Sequence, residues 1–464
     1  MTQLELTISK IKSKIIKKNS IIKSMDLFDG KESNKSKIEI LTNEYGETIT
    51  KIDGNIPIDL EVEHGKRFLF ISHDQSRYSH GIHKYPAKFF PELPRWLIQR
   101  YSKVGDKILD PFCGSGTSNV EAILNKRKSV GIDVDPFSKL LSRVKTTPLD
   151  KKETENNITD ILKLLTNFNV NRIHNSEIPT FPYRNNWFQE IILLELTYIR
   201  KIINSIDMSS ENRNFFMICM SSIIRKVSNA DNNCTRTVVR KKLNKKIYPS
   251  MALNAFAEAI LINFNRMVEF TDNFDKNYRA EFPNDSDARK IKYPINTFHL
   301  AITSPPYVNA VDYPRTHQLE MYWLGLSDGS LAPLKRKFVG TENVYAKDYR
   351  ELQEIGIEIA DDAIRRIYEK DPRRAFIALK FLIDMNANLS EIHKVLKKGG
   401  KYIVVLGNNK IRGILFESWK YVMRLAESNG FKINNYFGSE IINHFIKVPR
   451  TERINTDWII ELEK

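Results

Sequence analysis

Between residues 80 and 150, short apolar runs bounded by proline, glycine and aspartate alternate with segments whose apolar positions recur at helical spacing. HKYPAKFFPELP is punctuated by Pro86, Pro91 and Pro94, and PRWLIQRYS then predicts a short helix with proline at its start. KILDPF predicts a buried strand, residues 118–127 a helix, SVGIDVD a second strand and PFSKLLSRVK a second helix. Strands and helices in that alternation define an α/β fold with a parallel, doubly wound sheet. The alternation then stops. Residues 187–206, 213–228 and 251–270 carry helical apolar spacing, which predicts an inserted helical lobe. The sheet pattern returns in FHLAITSPPY, a strand running into a Pro-Pro turn, and in KKGGKYIVVLGN, FKINNYF and DWIIELEK. Residues 1–75 begin Lys-rich and continue polar, with no period long enough to define an element, and are expected to form an N-terminal accessory arm. The expected organisation is therefore an arm (1–75), an α/β domain (76–150 and 276–464) and a helical insertion (151–275).

Bulk properties narrow the picture only at two points. With 41% hydrophobic and 28% charged residues and no apolar run of membrane-spanning length, the 464-residue chain reads as a globular protein outside the membrane. MTQLELTISKIKSKIIKKNS mixes apolar and basic residues without a leader's apolar core, so a cytoplasmic location is expected. Cys113, Cys219 and Cys234 are too widely spaced for a disulfide framework or a structural zinc site, so no metal is expected. The formal net charge of +16 favours a polyanionic partner. Within TRTVVRKKLNKKIYPS, Arg236, Arg240, Lys241, Lys242, Lys245 and Lys246 form either a solvated face or a nucleic-acid contact.

The chemistry concentrates in ILDPFCGSGTSNVEA. Its strand ends at Asp110, and Gly114 and Gly116 let the backbone turn tightly into a helix beginning beside Thr117. Asp110 is placed to meet a cationic ligand group, and Asp133, at the end of the next strand, to accept from ribose hydroxyls. Together they describe a nucleoside with a positively charged tail. The loop lacks the Gly-Lys-Ser/Thr ending of a phosphate-gripping loop, which disfavours ATP hydrolysis.

DPFCGSGT closely resembles the cofactor motif of S-adenosylmethionine-dependent amino-methyltransferases acting on DNA, and TSPPY resembles their catalytic motif. The resemblance covers about residues 80–150 and 280–464. It implies a Rossmann-like class I methyltransferase sheet, S-adenosylmethionine as cofactor with Phe112 and Thr117 in its loop, and duplex DNA as substrate. HKYPAKFFPELP looks like the family segment that closes over the methionine end of the cofactor, which points to His83, Tyr85, Pro86, Lys88 and Phe89. NDSDAR resembles the family's third strand end, where Asp287, with Asp285 as rival, would bond the adenine amino group. The insertion lies before the catalytic motif, a position that in the family often carries target recognition.

An exocyclic amine is a poor nucleophile because its lone pair is delocalised into the base, so acceptors aimed at its hydrogens favour the charge-developing form. In TSPPY the Ser304 hydroxyl and the Pro305 carbonyl can serve as those acceptors, Pro306 stiffens the turn and Tyr307 can stack on a flipped base. None of the three cysteines follows a proline, which sets aside ring-carbon methylation through a thiolate. In the following VNAVDYPRTHQLEMYWLG, Arg315 can contact a phosphate, while Asp312, Tyr313, His317 and Glu320 either act or merely support the helix. The expected activity is N4-methylation of cytosine, with a restriction endonuclease as possible partner. Adenine N6 is the alternative, because the same acceptor logic serves either amine. An RNA methyltransferase is disfavoured by Ser304, since RNA enzymes resembling this loop usually carry an acid there. A DNA-binding protein with a silent cofactor site is disfavoured by the intact set Asp110, Gly114, Gly116, Asp133 and Ser304.

Overall fold

A computed structural model describes residues 36–42, 46–239, 245–308, 312–327, 329–441 and 456–464. Its strands, in chain order, are β1 (Lys37–Thr42), β2 (Thr48–Asp53), β3 (Arg67–Ile71), β4 (Lys107–Asp110), β5 (Lys128–Gly131), β6 (Ala280–Glu281), β7 (Phe298–Thr303) and β8 (Leu396–Gly407). After them come β9 (Asn409–Ile411), β10 (Ile414–Phe416), β11 (Lys432–Glu440) and β12 (Thr456–Glu463). Ten of them form one sheet in the order β1-β2-β3-β11-β12-β8-β7-β4-β5-β6, while β9 and β10 make a separate hairpin. From β6 through β5, β4 and β7 to β8 every neighbour is parallel. β12 runs antiparallel between β8 and β11. This is the α/β sheet expected from the alternation, with β12 and the edge strand β1 reversed.

Parallel strands need both faces covered, and the side chains divide accordingly. Ile108 of β4, Leu300 and Ile302 of β7, and Ile403 and Val405 of β8 meet Trp96 and Leu97 of α1 (Glu92–Tyr101) on one face. Leu109, Ala301, Tyr402 and Val404 point the other way, into a core shared with the later helices. The described part of the expected arm joins the sheet. β3 lies parallel to both β2 and β11, so residues 37–71 extend the edge of the α/β domain.

Helix α2 (Thr117–Leu124) follows the glycine loop, and α3 (Pro136–Thr146) follows β5. The insertion is helical as expected, with α4 (Lys151–Leu165), α5 (Glu190–Ser205), α6 (Ser210–Val227) and α7 (Met251–Asp272). It has no core of its own. Phe215, Phe216 and Phe256 pack in one cluster with Val120, Phe137 and Leu141 of the α/β domain and with Trp323. The lobe is thus fused to the side of the sheet that carries the glycine loop. Among the described residues no helix is long and apolar enough to cross a membrane.

The sheet order leaves β4 in opposite directions, to β5 on one side and β7 on the other. At such a switch point the crossovers diverge and leave a crevice beyond the carboxyl ends of the strands. The loops after β4, β5 and β7 carry DPFCGSGT, Asp133 and TSPPY into that crevice.

Candidate active site

β4 delivers Asp110 to the floor of the crevice, where it is 3% exposed. Its Oδ1 accepts from Thr303 Oγ1 at 2.8 Å and from the Phe112 amide at 3.1 Å. The chain then turns through Gly114 (φ 47°) and Gly116 (φ 72°), a left-handed backbone that favours glycine. A Cβ on Gly116 would sit 2.7 Å from Ser142 Oγ, and one on Gly114 would sit 3.3 Å from the Tyr85 ring. α3 clamps the turn from below: Ser142 Oγ donates to the Gly114 carbonyl at 2.8 Å, and buried Lys145 donates to the Ser115 carbonyl at 2.6 Å. Burial holds the Lys145 ammonium well below the usual lysine range. α3 itself starts from Asp135, whose side chain caps the Phe137 amide ahead of a proline at the first helical turn.

Asp133 accepts from the Gly114 amide at 2.9 Å and the Asp135 amide at 2.8 Å, so the second strand end is tied to the glycine loop. Burial raises the carboxyls of Asp110 and Asp133 to about 6, and burial with the neighbouring Asp133 charge raises Asp135 to about 7. A ligand cation placed among these carboxylates offsets that cost.

A pocket of about 740 Å³, part of it open solvent, lies above this floor. Of the residues expected to hold a cofactor, Tyr85, Lys88, Phe89, Asp110, Phe112, Gly114, Thr117, Asp133 and Asp287 line it, together with Ser304 and Pro306. Gly116 lies just beneath, packed against α3. His83 is turned away: Nδ1 donates to the Lys84 carbonyl at 2.7 Å, which leaves Nε2 to accept from Ser221 of α6 at 3.1 Å. Pro86 and Pro305 are not on the wall. Lys88 lines the space by its stem, while Nζ donates to the Gln75 and His80 carbonyls at 3.0 and 3.1 Å. Asp287 reaches the cavity with both oxygens bonded by Arg289, at 2.9 Å from Nε and 2.7 Å from Nη2. Its rival Asp285 is exposed and paired with Lys292. Cys113 is buried, and burial drives its thiol well above the usual range, which makes it inert.

TSPPY forms the partition between this cavity and a second, open groove. Ser304 and Pro306 face the cavity, Tyr307 faces the groove, and Pro306, Tyr313, Phe338 and Val339 belong to both. Tyr307 donates its hydroxyl to Asp457 Oδ1 at 2.8 Å, which anchors the ring from β12. Burial raises the Asp457 carboxyl to about 6. Asn409 Nδ2 donates to the Val308 carbonyl at 2.6 Å and fixes the end of the motif. Tyr313 stacks between Tyr85 and Phe338, with centroids 5.6 and 6.3 Å away, and closes the partition.

The groove receives Arg236 from the lobe and Arg315 from α8 (Tyr313–Thr316), both exposed. Arg240, Lys241 and Lys242 lie outside the described residues. Asp312 caps α8 and pairs with Lys335 at 2.6 Å. His317 and Glu320 face inward. The His317 ring lies on Phe137 at 4.5 Å and Tyr85 at 5.1 Å, and burial pushes it well below the usual histidine range and Glu320 up to about 7. They support the partition from behind.

Sequence reasoning missed Thr303, Ser142, Arg289 and Asp457, each of which holds a named site residue, and Lys145, which holds the glycine loop at Ser115. Only the Asp135-Pro136 pair left a local signal, as a helix cap followed by proline.

Residues 7–142 match a family model described as DNA methylase, and residues 84–326, over half of the chain, match one described as RMKL-like, methyltransferase domain. The type II methyltransferase M.MvaI of Kocuria varians is 25% identical over 373 residues, 74% of this chain and 80% of its own. M.BsoBI of Geobacillus stearothermophilus, also a type II methyltransferase, is 23% identical over 420 residues, 77% of this chain and 80% of its own. A solved S-adenosylmethionine-dependent methyltransferase from Methanosarcina mazei aligns with 82% of this chain and 98% of its own at 11% identity, with a TM-score of 0.29. The chain belongs to the methyltransferases, by the model that matches over half of it, and the DNA methylase match and the type II relatives support an S-adenosylmethionine-dependent amino-methyltransferase of DNA. S-adenosylmethionine is accordingly its cofactor. The cavity suits that molecule: a left-handed glycine turn that side chains would fill, and the carboxyls of Asp110 and Asp133, which burial raises to about 6.

Proposed function

We propose that this enzyme methylates the N4 amine of cytosine at a specific sequence in duplex DNA, as the cytoplasmic modification partner of a restriction endonuclease. The observation that carries the reading is the place of Ser304, on the wall of the cofactor cavity and three residues from a tyrosine that faces the groove. A serine here, where the adenine enzymes of the family commonly carry aspartate, supports cytosine as the base.

Bound S-adenosylmethionine supplies an electrophilic methyl group on a sulfonium. Asp110 takes the cationic tail, Asp133 the ribose hydroxyls and Asp287 the adenine amino group, while Tyr85, Lys88 and Phe89 cover the methionine end. His83 and Pro86 hold that covering segment in place. On the other side of the partition, Tyr307 stacks on the flipped base with its hydroxyl held by Asp457. The Ser304 hydroxyl and Pro305 carbonyl then accept from the amine, which concentrates its lone pair on nitrogen as positive charge develops. Pro306 fixes the distance between the two sides. The insertion at 151–275 contributes target recognition, and Arg236, with Arg240, Lys241, Lys242 and Arg315, contacts phosphates.

Expression in a host lacking DNA methylation, followed by mass spectrometry of its nucleosides, tests the reading. N4-methylcytosine is expected. N6-methyladenine would move the assignment to the other amine, and a modification confined to RNA would overturn it.

A further inference from the structure

The lobe presents two aromatic side chains to the groove, half-buried Trp187 and Tyr183, and of the two only Tyr183 stands out into solvent. Tyr183 is 74% exposed and lines the groove that also holds Tyr307. On either side of it, Phe181 and Phe188 are buried: Phe181 stacks on Tyr322 with centroids 4.9 Å apart, and Phe188 meets the Trp323 ring edge-on at 5.8 Å. The turn between them is fixed. The Tyr183 backbone is left-handed (φ 57°), its carbonyl accepts from the Asn186 and Trp187 amides, and Pro182 packs so closely that a Cβ on Gly329 would lie 2.8 Å from it. A large aromatic in the left-handed region is costly, and burial of its ring does nothing here to offset that cost.

We propose that Tyr183 is the wedge that enters the duplex beside the target base, stacks on the neighbouring pair and holds the base out for Tyr307. The inference rests on the DNA reading above. A flipped base leaves a gap in the stack, and an aromatic ring on a rigid turn can fill it without losing freedom on binding. Arg236 and Arg315, exposed in the same groove, place the flanking phosphates. Tyr183 needs no hydrogen bond for this role, and none holds its hydroxyl among the described residues.

The recognition sequence is first read from methylated plasmid DNA of an expressing host, and single-turnover transfer is then measured on short duplexes carrying it. On the matched duplex, Tyr183→Ala should slow transfer about five- to hundredfold, the range for a lost base–aromatic stack, while Tyr183→Phe stays near wild type. On a duplex whose target base faces an abasic site, so that it is already unpaired, Tyr183→Ala should recover to near the wild-type rate. With 2-aminopurine at the target position, Tyr183→Ala should lose the fluorescence rise on binding. Equal slowing on both duplexes, or none on the matched one, overturns the wedge and leaves the DNA reading intact. A wild-type chain that methylates no DNA overturns that reading and the wedge with it.

Discussion

Asp110 and Asp133 make cofactor binding sensitive to pH from inside the fold. Burial raises both carboxyls to about 6 from an ordinary value of 3.8. For a carboxyl raised in this way the stabilising contribution is full below pH 3.8, where both states are protonated, and is lost as pH rises through 6. At neutral pH the empty site therefore carries buried charge that a cationic ligand relieves. Affinity for S-adenosylmethionine should fall as pH drops from 7 to 5, and binding at pH 6 should release protons, which calorimetry in buffers of differing ionisation heat can measure. Asp133→Ala should weaken binding and remove part of that release, with the far-ultraviolet circular dichroism unchanged. An unaltered affinity would defeat the ribose assignment.

At the scale of elements, two strand ends carry different risks. The glycine turn after β4 is pinned to α3, and Gly116→Ala meets both a left-handed backbone, worth about 1–2 kcal/mol, and contact with Ser142 at 2.7 Å. That variant should unfold at lower denaturant and bind cofactor poorly. The motif after β7 is different, because its side chains face ligand on two sides. Ser304→Ala should slow single-turnover transfer about ten- to hundredfold, the worth of a hydrogen bond to a charged group. Tyr307→Ala should lose most activity, and Tyr307→Phe should keep more of it although Asp457 loses a donor. Near wild-type rates in Ser304→Ala and Tyr307→Ala together would sink the catalytic roles.

These two strand ends were also the legible part of the chain. Asp110, Gly114, Gly116 and Ser304 follow apolar runs directly, so a local pattern of strand, turn and helix places them. The parts that stayed hidden depend on pairing across long stretches. Asp457 meets Tyr307 only because β12 inserts antiparallel beside β8, 150 residues further along. β6 has two residues and leaves no period to read. β1 is exposed at five of its six positions, so nothing alternates and residues 37–71 resembled an arm. The likeness of its segment points His83 to the cofactor, whereas the fusion of α6 to the α/β core draws its ring toward Ser221.

Across the whole molecule, the net charge of +16 acts through a few positions. Two of the four described basic side chains that line the groove are committed inside the protein: Lys335 to Asp312, and Arg373 to the Glu342 carbonyl. Arg236 and Arg315 differ, since they are exposed and no acceptor engages either guanidinium among the described residues. One comes from the lobe and one from the helix after TSPPY, and the Thr237 hydroxyl, next to Arg236, donates to the Thr316 carbonyl, next to Arg315, at 2.8 Å. A phosphate contact displaces about 0.9 counterion, so each lost contact lowers the slope of log affinity against log salt by that amount. Arg236→Ala with Arg315→Ala should weaken DNA binding at low salt and flatten the slope by about 1.8, with cofactor affinity unchanged. Titrating labelled duplex at four salt concentrations measures this directly. An identical slope would mean that neither arginine reaches a phosphate and that both belong to a solvated surface.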